Sequence, residues 1–354
     1  MHIEKYYGSL LNMQKKFDKR ARQDYFRGTT KEEFLSWQKD TREMLWKLLG
    51  LDMMEECELT PVTEEVVTLE NGIVREKVII QTEPDVYMPM FILIPPKKDG
   101  EKLSCFLAPC GHQGGGKYSV AGCYDIPMIK EKIDFFNYDY GMKLAKLGYV
   151  AICPDTRGFG ERRDEYLHGD TRKEVLGCSC FHLAHMAEPL GQTVAGMCTW
   201  DLMRLIDYVE QRGEWRTDNI SCLGFSGGGM QTLWLAVFDE RVKLAGISGY
   251  MYGYKDSLLE LNGNCNCNYI PHLWEHLDMG DIASLIAPRR IMIQSCRDDK
   301  LNGKRGLDNV YEQVDIIRNA YKLFDMDDVM MDKMLVHDIC EGPHHFHDSI
   351  LEKI

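Results

Sequence analysis

Nowhere in the 354-residue chain is there an unbroken apolar run of about 18 residues, the length a membrane-spanning helix needs. The opening segment MHIEKYYGSLLNMQKKFDKR also lacks the apolar stretch of roughly 7–15 residues that marks a secretory signal. These two absences lead to the expectation of a soluble, cytoplasmic protein with no membrane partner. Positive charge is in deficit, with 42 Lys and Arg against 55 Asp and Glu, a net charge of −13. Such a chain repels phosphate backbones, so nucleic acid is not an expected partner. Cysteines number 13, but the paired C-x-x-C spacing of structural zinc is missing. The closest pairs are Cys178-Ser-Cys180, with His182 and His185 nearby, and Cys265-Asn-Cys267. On spacing, therefore, no metal is expected. An odd cysteine count without an export signal points to reduced thiols, most of them buried as small hydrophobes.

Internal repeats, low-complexity tracts and Pro/Ser-rich linkers are absent too, and a balance of 44% hydrophobic and 27% charged residues is that of an ordinary globular protein. Residues 1–55 are read as a helical arm packed on a main domain of residues 56–354. In the arm, Thr30 precedes Lys31, Glu32 and Glu33, while Phe34, Trp37, Met44, Leu45 and Leu48 recur at helical spacing up to Gly50. From about Thr63 to Pro95 the pattern becomes strand-like, EEVVTLENGIVREKVIIQT and VYMPMFILI, with a turn at Glu70-Asn71-Gly72. These predict antiparallel edge strands. Beyond Pro96, the runs SCFLAPC, YVAICPD, ISCLGF, KLAGISGYM and RIMIQSC alternate with helical stretches such as Thr193 to Gln211. That alternation predicts an α/β fold, a mostly parallel sheet with helices on both faces. The segment 161–192 is the long stretch that resists assignment.

The chemistry centres on Gly224-Phe225-Ser226-Gly227-Gly228, which follows the apolar run ISCL and precedes a helical pattern of Met230, Leu233, Trp234 and Val237. G-x-S-x-G between strand and helix is a nucleophile elbow, which lifts the serine hydroxyl above the sheet. Serine needs a base to take its proton and a third group to orient that base. An acid is expected after a later strand, and RIMIQSC is followed by Asp298 and Asp299; position in the loop favours Asp299, with Asp298 as the alternative. The base is expected in Gly342-Pro343-His344-His345-Phe346-His347, where His344 is first after the Gly-Pro turn. Gly227 supplies one backbone N–H for an oxyanion hole, and His112 or Gln113, in the loop after SCFLAPC, supplies the other. The same loop, Gly111 to Lys117, matches the G-x-x-x-x-G-K of a phosphate-binding loop, but Tyr118 stands where that motif needs Ser or Thr.

With these motifs in place, the sequence resembles bacterial α/β-hydrolases of the acetyl xylan esterase-like or dienelactone-hydrolase-like kind. The carriers are Asp155-Thr-Arg157-Gly-Phe-Gly160, Gly224 to Thr232, Asp239-Glu-Arg-Val242, Asp281 to Arg289 and Gly342-Pro-His344. The resemblance implies an α/β-hydrolase fold, a triad of Ser226, Asp299 and His344, no cofactor, and a small-molecule ester substrate such as an acetylated oligosaccharide. It also makes Arg157 a structural or pocket-shaping residue. Trp274 is a further candidate for the substrate pocket, since segments 161–192 and 263–274 are long enough to cap the site. Three positions depart from the pattern, namely Cys110, Gly303 and His345. Other acyl hydrolases on the same fold (peptidase, lactonase or thioesterase) and a non-catalytic binding protein are the alternative readings.

Overall fold

The computed structural model describes residues 4–261 and 264–354. Nine strands form one sheet: β1 (Val62–Thr68), β2 (Val74–Glu83), β3 (Val86–Ile94), β4 (Ser104–Leu107), β5 (Val150–Pro154), β6 (Arg216–Phe225), β7 (Val242–Ser248), β8 (Arg290–Cys296) and β9 (Leu335–Cys340). Their spatial order is β1-β2-β3-β5-β4-β6-β7-β8-β9. β1, β2 and β3 form an antiparallel meander, and β3 joins the rest through an antiparallel pairing with β5, Phe91 opposite Cys153. Every pairing from β5 through β4 to β9 is parallel. The meander thus matches the expected antiparallel strands, except that only β1 lies at the edge, β2 and β3 being paired on both sides.

This topology fixes where chemistry can occur. From β4 the chain first goes to β5 on one side and later returns to β6 on the other. The strand order therefore reverses at β4, and a crevice opens at the carboxyl ends of β4 and β6. β6 is suited to the centre of such a sheet, because Ile220 to Phe225 are all buried while its first four residues are exposed.

The helix Val194–Arg212 packs on the sheet beside the helix Gly227–Phe238. Thr193 caps its N-terminus by accepting from Gly196 N, Leu202, Leu205, Ile206 and Val209 are buried, and Gly213 ends it in the left-handed region. At the N-terminus, α1 (Leu10–Arg20) has no buried residue, whereas α2 (Lys31–Leu48) buries Phe34, Gln38, Thr41 and Leu45. Thr30 and Glu33 form a reciprocal capping box at the start of α2. Docking of α2 is polar as well as apolar: Gln38 donates to Leu285 O and Ala287 O just before β8, and Trp46 meets Phe238 edge to face at 5.6 Å. The arm therefore braces the helix that follows Ser226. Among the described residues, no helix is long and apolar enough to cross a membrane.

Candidate active site

Ser226 joins β6 to the helix Gly227–Phe238 with φ 56° and ψ −119°, a conformation that costs a non-glycine residue about 1–3 kcal/mol. The neighbouring glycines make the turn possible. A Cβ on Gly224 would stand 2.2 Å from Gly228 O, and one on Gly228 would stand 2.2 Å from Pro109 O. Ser226 N donates to Ser248 O at 2.8 Å, tying the elbow to the end of β7.

The acid and the histidine meet across the ends of β8 and β9. Asp299 is buried, and its Oδ2 lies 2.6 Å from His344 Nδ1, while its Oδ1 accepts from Leu301 N at 2.8 Å. Asp298, one residue earlier, is exposed, and its backbone N–H donates to Gly342 O. The two carboxylates left open by the sequence thus have separate surroundings, and only Asp299 reaches the imidazole. The His344 ring lies on Phe225, with centroids 4.6 Å apart and planes at 32°, and Phe225 immediately precedes Ser226. Among the described residues no hydrogen bond joins the Ser226 hydroxyl to the imidazole; in ligand-free sites such contacts are often long. His345 turns to Pro343 O, and His347 caps the last helical turn through Ser349. Of the three clustered histidines, His344 alone lies beside the elbow.

The loop after β4 folds over the start of the elbow helix. A Cβ on Gly111 would be 3.0 Å from Gly227 N, and one on Gly227 would be 2.8 Å from His112 Nδ1. The Gly111 backbone and the His112 ring therefore lie against Gly227. Two buried tyrosines hold this loop, Tyr138 donating to His112 O at 3.0 Å and Tyr140 to Pro109 O at 2.5 Å. Burial pushes both phenols well above their ordinary range, which keeps them neutral donors. Gln231, on the elbow helix, adds a bond to Cys110 O and accepts from Thr156. Sequence reasoning missed all three supports, because nothing local in the chain places them beside this loop. Gln113 has φ 62° and an exposed side chain.

Comparison with known proteins bears on the family and the fold. The profile of the Abhydrolase family matches residues 2–334. The chain belongs to the Abhydrolase family. A protein of Bacillus subtilis (strain 168), provisionally named hydrolase YtaP, is 26% identical over 280 residues, covering 78% of this chain and 86% of its own. Among solved structures, one from Bacteroides fragilis NCTC 9343, provisionally described as an acetyl xylan esterase, superposes with a TM-score of 0.73 at 18% identity, covering 96% of this chain and 82% of its own. A glucuronoyl esterase from Solibacter usitatus gives 0.60 at 13% identity, with 92% of each chain covered. These structural likenesses show an α/β-hydrolase fold.

Two pocket candidates occupy other places in this Abhydrolase-family protein. Arg157 is buried and forms a bidentate pair with Asp201 at 2.9 Å per bond and a further bond to Glu83 at 2.5 Å. Asp201 also takes Arg162 and Thr82. Burial would raise the Asp201 carboxyl, but Arg157 and Arg162 outweigh it and hold the group well below its ordinary value. A guanidinium so engaged anchors the loop after β5 rather than lining a pocket. Trp274 packs against Phe17, Tyr254 and Tyr269 and lines a groove of about 410 Å³ between α1 and residues 269–275. No lining residue of that groove comes from the elbow, the β4 loop or the Asp299–His344 pair. Lys117 of the apparent phosphate loop is fully buried against Asp155 at 2.6 Å and Glu161 at 2.5 Å. Its charge is committed inside the family fold.

The cysteines supply one further cluster. His112, Cys180, Cys265 and Cys267 bring their ligand-type atoms within 4.8 Å of one another. They come from three segments, so a test of spacing within one segment misses them. Segments 161–192 and 264–274 thereby meet on the β4 loop of this hydrolase; Gly263, the first residue of the second segment as read from sequence, lies outside the described residues.

Proposed function

We propose that this chain hydrolyses carboxylic esters through an acyl-enzyme. Ser226 attacks the ester carbonyl, His344 takes its proton through Nε2, and Asp299 fixes the Nδ1–H tautomer and stabilises the imidazolium that forms. Backbone N–H groups of Gly227 and of the His112–Gln113 loop face the carbonyl oxygen as it becomes negative, and one such donor is worth about 3 kcal/mol. The protonated His344 then donates to the leaving alkoxide. Water, deprotonated by the same histidine, attacks the acyl-serine and frees the acid. The observation that carries this reading is the 2.6 Å contact of buried Asp299 with an imidazole lying on the residue before the strained serine.

Carbohydrate esters, acetylated oligosaccharides above all, are the substrate class we favour, because structural neighbours bear the names acetyl xylan esterase and glucuronoyl esterase. All thirteen cysteines are unpaired, which favours a reducing compartment such as the cytoplasm. The test is hydrolysis of p-nitrophenyl acetate, and then of acetylated xylo-oligosaccharides, by wild type and Ser226→Ala. Activity that vanishes in the variant supports the mechanism. A folded wild type inert on short and long esters alike, or a variant as active as wild type, contradicts it.

A further inference from the structure

His112 Nε2 lies 3.7 Å from Cys267 Sγ and 3.9 Å from Cys180 Sγ, and Cys265 completes a set of four donors within 4.8 Å. In a tetrahedral zinc site with Zn–S about 2.3 Å and Zn–N about 2.0–2.1 Å, neighbouring donors stand roughly 3.5–3.8 Å apart. The two edges from Nε2, 3.7 and 3.9 Å, come within a few tenths of an ångström of that size, and the others do not exceed 4.8 Å. No carboxylate belongs to the set, which disfavours magnesium, calcium and manganese, whereas three thiols and an imidazole suit zinc.

We propose that His112, Cys180, Cys265 and Cys267 form a structural zinc site that staples three separate segments of the fold. Binding displaces one proton from each of the three thiols, and the imidazole binds as the neutral Nδ1–H tautomer, so the filled site carries one net negative charge. Four protein donors close the tetrahedron, and the metal takes no part in acyl transfer. The surroundings resemble an outer ligand shell. Asn268 Nδ2 lies 3.7 Å from Cys267 Sγ and donates to Cys265 O at 3.1 Å, and Tyr250 OH in turn donates to Asn268 Oδ1 at 2.9 Å. Cys265 and His112 are half-buried, which leaves an entry path.

The site would fasten the helix Cys180–Ala187 and the turn at Cys265–Asn268 onto the loop whose Gly111 backbone lies against Gly227. Other cysteines behave differently: Cys105, Cys153 and Cys222 are dispersed along strands as fully buried small hydrophobes.

The experiment uses the full chain, free of histidine tags, purified anaerobically with reductant after growth in zinc-supplemented medium. Mass spectrometry of the metal is expected to find one zinc per chain. Cobalt(II) added to the metal-stripped protein is expected to give thiolate-to-cobalt charge-transfer absorption and the strong visible bands of a tetrahedral ion, saturating at one equivalent. Cys267→Ser should abolish both signals, Asn268→Ala should weaken binding about 10- to 100-fold, and Cys57→Ser, far outside the set, should bind as wild type. Trace metal after zinc incubation with no thiolate–cobalt band overturns the proposal, as does a Cys267→Ser protein that binds like wild type, or a disulfide among these cysteines in the anaerobic protein. Should Cys267→Ser fail to fold, the wild-type cobalt titration decides alone. Neither metal content nor the cobalt spectrum depends on the esterase reading.

Discussion

Asp298 and Asp299 are adjacent in the chain yet differ in everything a carboxylate feels: one is exposed, while the other is buried between Leu301 N and His344 Nδ1. Sequence favoured Asp299 from its place in the loop but kept Asp298 as the alternative, because side-chain direction after β8 is set by the 3₁₀ turn Lys300–Asn302 and by Asn302 bonding back to Cys296 O. The consequence is a sharp contrast between two nearly identical substitutions. Asp299→Asn should lower kcat about 10⁴-fold, because the imidazole loses the partner that fixes its tautomer. Asp298→Asn should stay within a few-fold of wild type in the same steady-state assay. Equal losses in the two variants would remove Asp299 from its role. The serine itself was legible from a few residues, since its elbow rests on neighbours in the chain, while the tyrosines holding the β4 loop rest on a helix start far along it.

Among elements, the second helix of the arm was legible almost to the residue. Its cap, its periodicity and its terminal glycine are local signals, and Thr30→Ala should cost about 1 kcal/mol in chemical denaturation without altering KM. Arg157 shows the opposite case. Its resemblance left a structural and a pocket-shaping role both open, but its partners Asp201 and Glu83 sit on a helix and on β2, and no spacing rule joins those three elements. Arg157→Met removes one partner of a buried carboxylate and should destabilise the protein by about 3 kcal/mol in urea titrations. If Arg157 contacted substrate instead, KM would rise with stability unchanged.

For the molecule as a whole, charge pairs around the carboxyl ends of the strands, such as that of buried Lys117 with Glu161, tie stability to pH. Burial would raise the Glu161 carboxyl, but Lys117 and Lys77 outweigh it and hold the group at about 2, against an ordinary 4.5. A depressed acid contributes stability that is fully present above pH 4.5 and is lost as pH falls from there through about 2. Thermal midpoints should therefore drop through that window, and Glu161→Gln should flatten the drop; an unchanged slope would mean the pair contributes nothing. The parallel sheet and its order of motifs were readable because strand–helix alternation is periodic. The cysteine cluster was not, since its members lie on a loop, a helix start and a turn that only the assembled fold brings together.

Covalent capture of the nucleophile tests the central claim most directly. The intact chain is treated with a fluorophosphonate, weighed by mass spectrometry and mapped by peptide digestion. A single adduct on the peptide carrying Ser226, absent in His344→Ala and blocked by prior ester substrate, is the predicted result. Native, folded protein that takes no adduct, or takes it on another residue while Ser226 stays unmodified, would contradict the account.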